Sequence, residues 1–172
     1  MNYGIAIFPS REIQDLANSY RKRYDSRYKL IPPHLTLKAA FQADEAVIDE
    51  LVPELKKIAN ELKPFSINIE KVSSFVPLSN TIYLKVNPID ELTLLYEKLH
   101  SGKFPKDSEH PFVPHITIGQ DLKDDEFSDI YGSLRMEKFN LSDTVDRFQL
   151  LYQLGNGSWT VHESFVFGNE KL

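Results

Sequence analysis

One short pattern is written twice in this chain. Pro33-His34-Leu35-Thr36-Leu37 is matched, nearly half the sequence later, by Pro114-His115-Ile116-Thr117-Ile118. Threonine is scarce, six among 172 residues, and histidine occurs five times, so two His-x-Thr copies with the same kinds of neighbours are hard to ascribe to accident. In extended backbone, side chains alternate between faces. His34 then shares a face with Thr36, and His115 with Thr117, while Leu35, Leu37, Ile116 and Ile118 point the other way. Each segment buries its aliphatics and presents an imidazole and a hydroxyl. If the two halves of the chain are related by a pseudo-twofold, the two polar pairs meet at the interface.

Two imidazoles and two hydroxyls suit displacement at phosphorus. Imidazole titrates near neutrality, so one ring can be neutral while the other is protonated. That supplies a base for the attacking oxygen and an acid for the leaving oxygen. Threonine hydroxyls can donate to the non-bridging oxygens, which makes Thr36 and Thr117 the candidate substrate-binding residues. The scheme needs no covalent nucleophile, no metal and no cofactor. A single His-x-Thr would be read as a structural histidine on a strand; the doubled context favours function.

The surrounding pattern supplies elements to hold these residues. Met1 to Phe8 alternates as a strand, and Ser10 after Pro9 is a suitable N-cap for a helix over residues 11 to about 25. Asp44 to Leu62 carries one apolar stripe, Ile48, Leu51, Val52, Leu55, Ile58 and Leu62, interrupted by Pro53, where the helix either kinks or has its regular start. Strands are expected at residues 34–37, 65–71, 81–86 and 115–118, and helices at 89–100 and 124–136. Residues 147–154 and 159–167 read as a hairpin around Gly155-Asn156-Gly157-Ser158. Many of these strands are amphipathic, which favours an α+β fold with antiparallel or mixed sheets. No Gly-rich phosphate loop is present.

The paired His34-Leu35-Thr36-Leu37 and His115-Ile116-Thr117-Ile118 motifs resemble the signature of the 2H phosphoesterase superfamily, which includes the bacterial RNA 2′,3′-cyclic phosphodiesterases once named 2′-5′ RNA ligases. The resemblance extends over the opening strand, the helix before each motif and the closing Trp159-Thr160-Val161 … Phe165-Val166-Phe167 strand. It implies a bilobal α+β fold with both motifs lining a central cleft and helices outside. Residues 1–172 would form one domain with lobes of about 1–88 and 89–172, strand exchange between them being allowed. It also implies roles: His34 as proton donor to the leaving oxygen and His115 as proton acceptor from water, with a small phosphodiester or an RNA end as substrate. RNA-processing members often carry a basic residue just after the second motif, where this chain has Gly119-Gln120. A non-catalytic nucleotide-binding module using the same cleft is the alternative.

Composition sets the outer bounds. With 41% hydrophobic and 26% charged residues the chain is of ordinary globular make-up. It has no cysteine, which removes disulfides, thiolate nucleophiles and Cys-based zinc sites. The net charge of -5 argues against stable binding of long nucleic acid. No stretch approaches a membrane span, and the first residues carry no basic leader, so a soluble cytoplasmic protein is expected.

Other residues carry side chains suited to the same chemistry. Tyr20, Tyr24 and Tyr28 interleave with Arg21, Lys22, Arg23, Arg27 and Lys29, which suits either a stacking rim or an amphipathic helix with solvated cations; the helix is the plainer reading. Lys38 falls on the His34/Thr36 face, as a phosphate contact or an ordinary surface lysine. Lys106, Asp107, Glu109, His110 and His115 lack helical ligand spacing and read as loop rather than metal site. His100 is expected to cap a helix end, and His162 to lie on the polar face of a sheet.

Overall fold

The computed structural model describes residues 1–106 and 111–168. The chain order is β1 (Asn2–Ile7), α1 (Arg11–Tyr24), β2 (Leu35–Gln42), α2 (Glu45–Asn60), β3 (Phe65–Ser74), β4 (Ile82–Val86), α3 (Asp90–Leu99), β5 (His115–Gly119), α4 (Asp124–Leu134), β6 (Lys138–Val145), β7 (Arg147–Gln153) and β8 (Trp159–Val166). The strands form one eight-stranded sheet in the order β6-β3-β4-β5-β2-β1-β7-β8. Every ladder between these strands is antiparallel. The fold is α+β, as the amphipathic strands predict.

The two motif strands, β5 and β2, are neighbours at the middle of this sheet. They are flanked by β4 on one side and β1 on the other, so the centre is reached from both halves of the chain. Residues 65–86, early in sequence, pair alongside the late strand β5. One continuous apolar cluster lies beneath, in which Leu35, Leu37, Ile116 and Ile118 are buried together with Leu55, Leu92 and Phe148. Burial of each such side chain contributes about 1.5–3 kcal/mol, which pins the motif strands in one register and forces the alternate residues outward.

Several local features differ from expectation. α2 runs through Pro53 without interruption, starting at Glu45 with the Asp44 side chain accepting from Val47 N–H at 3.0 Å. Pro53 is exposed, so its ring is accommodated on the solvent side. Ser10 stands at the N-cap of α1, but its side chain caps nothing; its backbone N–H instead donates to Asp143 Oδ2 at 2.7 Å. That acceptor lies on β6, a strand the sequence pattern did not reveal. Phe139, Leu141 and Val145 of β6 do alternate, but Asp143 occupies the third of the four inward positions and breaks the apolar period. The 147–166 hairpin closes as expected, with Gly157 at φ 91°, a left-handed conformation that suits glycine.

Candidate active site

The local structure of the two motifs is the same. In both, the proline is buried, the histidine half-buried, the next aliphatic buried, the threonine half-buried and the last aliphatic buried. In both, the histidine Nδ1 lies against the carbonyl two residues back: His34 with Pro32 O at 2.9 Å, His115 with Val113 O at 2.7 Å. A carbonyl only accepts, so Nδ1 carries the proton and donates. Each neutral ring is thereby fixed with Nε2 as the nitrogen able to exchange protons.

The pairing of β2 with β5 sets Leu35 opposite Ile116. Continuing that antiparallel register puts His34 across from Thr117 and Thr36 across from His115. All four polar side chains thus stand on one face of the sheet, around the Leu35–Ile116 pair, with the two imidazoles on a diagonal. The arrangement has an approximate twofold axis through that pair. The predicted meeting of the two pairs follows from the ladder.

Burial lowers the pKa of both imidazoles below the ordinary histidine value, through loss of hydration of the charged form. The bond to Pro32 O acts against this at His34, and the bond to Val113 O at His115. His34 is lowered further by the charges of Arg21 and His115 and raised by Asp25.

Two cavities open from this face. The first, about 270 Å³, is lined by His34, Thr36, Thr117, Arg21, Gln120 and Trp159 among others. Gly4 and Ala6 of β1, both small, also line it. The second, about 700 Å³, is lined by Thr36, His115, Phe75, Leu78, Tyr96 and Phe112 among others. Thr36, Ala39 and Ala40 belong to both, so the cavities adjoin at the centre.

Behind the first cavity lies a buried polar network. Arg21, 1% exposed, pairs with Asp25 at 3.0 Å and donates to Asn18 Oδ1 at 2.8 Å and Ile31 O at 2.6 Å. Asp25 Oδ1 accepts from Gln120 Nε2 at 2.8 Å and from Arg27 N–H at 2.8 Å. The ion pair thus ties the lead-in of the first motif, at Ile31, to the run-out of the second, at Gln120. Arg21 is therefore not the solvated cation that an amphipathic helix suggests. The Arg21–Asp25 spacing of four residues was visible in the sequence; its burial and its partner 95 residues away were not.

Lys38 requires a similar correction. It lines the first cavity, but it is 1% exposed and no surface lysine, and its Nζ donates to Pro105 O at 2.6 Å. The β1–β2 ladder passes from Ala6↔Thr36 to Ile5↔Lys38, so an extra β2 residue is taken up there and the alternation beyond Thr36 is lost. On the other side, Lys85 of β4 stands opposite His115 and Tyr83 opposite Thr117, two residues of the site's face that lie outside the repeated motif. His115 packs edge-on against Phe75 at 4.9 Å and beside Tyr83 at 5.1 Å.

The remaining candidates fall away from the centre. His100 is the C-cap of α3, with Nδ1 at 2.8 Å from Tyr96 O. His162 is exposed and packs edge-on against Tyr3 and Tyr152. Tyr28 and Tyr24 take Arg21 and Arg23 over their rings. Asp107, Glu109 and His110, weighed as metal ligands, lie outside the described residues. Among the described residues no three histidine or carboxylate side chains converge to hold a metal, and no helix is long and apolar enough to cross a membrane.

Known proteins share this chain's sequence and its fold. A protein of Oceanobacillus iheyensis named "Putative phosphoesterase" is 65% identical over 170 residues, covering 99% of this chain and all of that one. A relative of the same name from Geobacillus sp. strain WCH70 is 59% identical, covering 99% of both. Among solved structures, Escherichia coli LigT in complex with 3′-AMP superposes with a TM-score of 0.73 at 20% identity, covering 96% of this chain and 97% of LigT. A Thermus thermophilus protein gives the same score at 19% identity, covering 99% and 100%. These two establish likeness of fold. The profile of the 2′-5′ RNA ligase superfamily matches residues 9–157, a span that holds both His-x-Thr motifs. The chain belongs to the 2′-5′ RNA ligase superfamily, the 2H phosphoesterases, enzymes that hydrolyse phosphoric ester bonds.

Proposed function

We propose that this enzyme opens a phosphodiester, with a 2′,3′-cyclic phosphate on RNA or a nucleotide as the substrate class, by acid–base catalysis shared between His34 and His115 without a metal. The observation that carries the reading is the twofold arrangement of His34, Thr36, His115 and Thr117 on one sheet face, each imidazole held by Nδ1 and presenting Nε2. The crystallisation of LigT with 3′-AMP supports a nucleotide-like substrate.

Thr36 and Thr117 donate to the non-bridging oxygens. A water oxygen bonds to phosphorus while the bond from phosphorus to the leaving alkoxide oxygen breaks. His115 Nε2 takes the water proton, and protonated His34 Nε2 gives its proton to the leaving oxygen. One proton then passes from His115 to solvent and one returns to His34. Burial disfavours the charged ring in the empty site, and the negative charge of the bound diester offsets this, so substrate itself helps to charge the acid.

The test is turnover of 2′,3′-cyclic nucleotides by the purified chain in EDTA. Release of a linear monophosphate at an undiminished rate is expected. Binding with no product would favour the non-catalytic module, and loss of turnover on chelation would refute the metal-free scheme.

A further inference from the structure

Ladder pairing sets one line of residues across four strands, from the site to the edge of the sheet. His115 of β5 pairs with Lys85 of β4, Lys85 with Lys71 of β3, and Lys71 with Lys138 of β6. Residues directly opposite in a ladder share a face, so these lysines stand on the face that carries the histidines and threonines. The irregularity between Ile69 and Lys71 turns Lys71 to that face, since Ile69 before it and Val72 after it both lie in the core. Opposed residues are about 5 Å apart at the backbone, where like charges repel and weaken the pairing. Among the described residues no carboxylate answers this repulsion. The side chains of Lys71, Lys85 and Lys138 take part in no ion pair or hydrogen bond there, and Glu70, which lines a small hollow with Lys71 and Lys138, is within ion-pair distance of neither. A lysine on an edge strand discourages pairing with another chain, which accounts for Lys138 on β6 but not for Lys71 and Lys85, inside the sheet. The corresponding line on the other half of the site runs from Thr36 through Ala6 of β1 and Gln149 of β7 to Ser164 of β8, and is uncharged. The row of cations thus leaves the site in one direction.

We infer that Lys85, Lys71 and Lys138 bind further phosphates of the substrate, joined in a chain to the one that reacts. This rests on the reading above that the His-Thr pairs hold the phosphodiester. Neighbouring strands about 4.8 Å apart put Lys138 about 14 Å from His115, farther than one phosphate reaches. The row therefore suits a succession of anions that begins at the reacting phosphate, and each bound phosphate relieves the repulsion between neighbouring lysines. Its length limits it to a few phosphates, in keeping with a net charge of -5 that disfavours long nucleic acid. Such a chain of phosphates is offered by a short oligonucleotide, or by a nucleotide with a linear polyphosphate at its 5′ end.

Turnover by the full-length protein tests the row and separates the two sources. The substrates are a nucleoside 2′,3′-cyclic phosphate, the same nucleoside carrying a 5′-triphosphate as well, and oligonucleotides up to the tetramer ended by a 2′,3′-cyclic phosphate. From the plain nucleoside to the triphosphate or the tetramer, KM should fall about tenfold or more, the worth of several exposed ion pairs. The plot of log KM against log salt concentration should be steeper by about 2 for that longer substrate, at about 0.7 for each phosphate neutralised. Lys71→Gln, Lys85→Gln and Lys138→Gln should each remove about 0.7 of that slope. Lys57→Gln, an equal loss of charge at an exposed position of α2, should remove none. A gain confined to the oligonucleotides, or to the triphosphate, upholds the row and identifies which molecule carries the phosphates. One KM for every substrate, with the plain nucleoside still turned over, would overturn the row and leave the proposed function intact. A gain that survives replacement of Lys71, Lys85 and Lys138 together would overturn it as well. Absence of turnover for every cyclic phosphate would remove the proposed function, and the row with it.

Discussion

The His34 and His115 halves of the site match in backbone and differ in surroundings. Both rings donate Nδ1 to the carbonyl two residues back, and both threonines follow on the same face. Around His34 are a buried guanidinium, a carboxylate and an amide; around His115 are Phe75 and Tyr83. Acid–base catalysis needs two unlike groups, and a repeat supplies two like ones. The difference must therefore come from the second layer of side chains. The Arg21 charge acts on His34, whereas among the described residues the shift of His115 comes from burial and its backbone bond.

The largest expected effect breaks the symmetry directly. His34→Ala and His115→Ala should each lower kcat by about a hundredfold to ten-thousandfold on a nucleoside 2′,3′-cyclic phosphate. On a 4-nitrophenyl ester the leaving oxygen needs no proton, so His34→Ala should recover most of its loss and His115→Ala none. The reverse pattern would exchange the two roles.

A second comparison concerns stability. Asp25→Ala leaves Arg21 buried without its counter-charge and takes an acceptor from Gln120 and Arg27 N–H. Urea denaturation should show a loss of about 3–5 kcal/mol. Phe75→Leu, on the aromatic side, keeps an apolar side chain at a half-buried position and should cost under about 1.5 kcal/mol. Equal losses would mean that the ion pair is not what fastens the two motifs.

What the sequence disclosed and withheld follows the same division. The motif strands, their buried aliphatics and the outward His-Thr pairs were legible because alternation is local and the core enforces it. The unbroken course of α2 through Pro53 and the strand β6 were not, since a solvent-side proline and the inward Asp143 each break a period that tertiary structure tolerates. The burial of Lys38, left open between a phosphate contact and a surface lysine, was hidden because nothing in the pattern marks the irregular β1–β2 register. The Arg21–Asp25–Gln120 network was out of reach because its members lie far apart in sequence and are charged or polar residues, for which solvent exposure is the general rule.

A smaller effect bears on the hydroxyls. Thr36 borders both cavities, whereas Thr117 borders the first. Thr36→Val and Thr117→Val should each slow turnover about tenfold to a hundredfold, the worth of one hydrogen bond to a charged group. A loss in KM alone would show that the hydroxyls hold substrate and transition state equally.

The finest distinction is in pH dependence. In the proposed scheme the active form carries one proton on the pair, and burial holds both rings below the ordinary value near 6.5. The kcat/KM profile, which reports the free enzyme, should therefore have its maximum on the acid side of about pH 6.5. Phe75→Ala admits water to His115, whose shift comes first from burial, and should move the acid limb toward higher pH while leaving the alkaline limb in place. Movement of the alkaline limb instead would assign the acid to His115. Stability carries the same signature with a definite sign. A histidine lowered by folding binds its proton more weakly in the native chain than in the unfolded one. Folding stability should thus fall as pH drops below about 6.5, and replacing both histidines with alanine should flatten that decline.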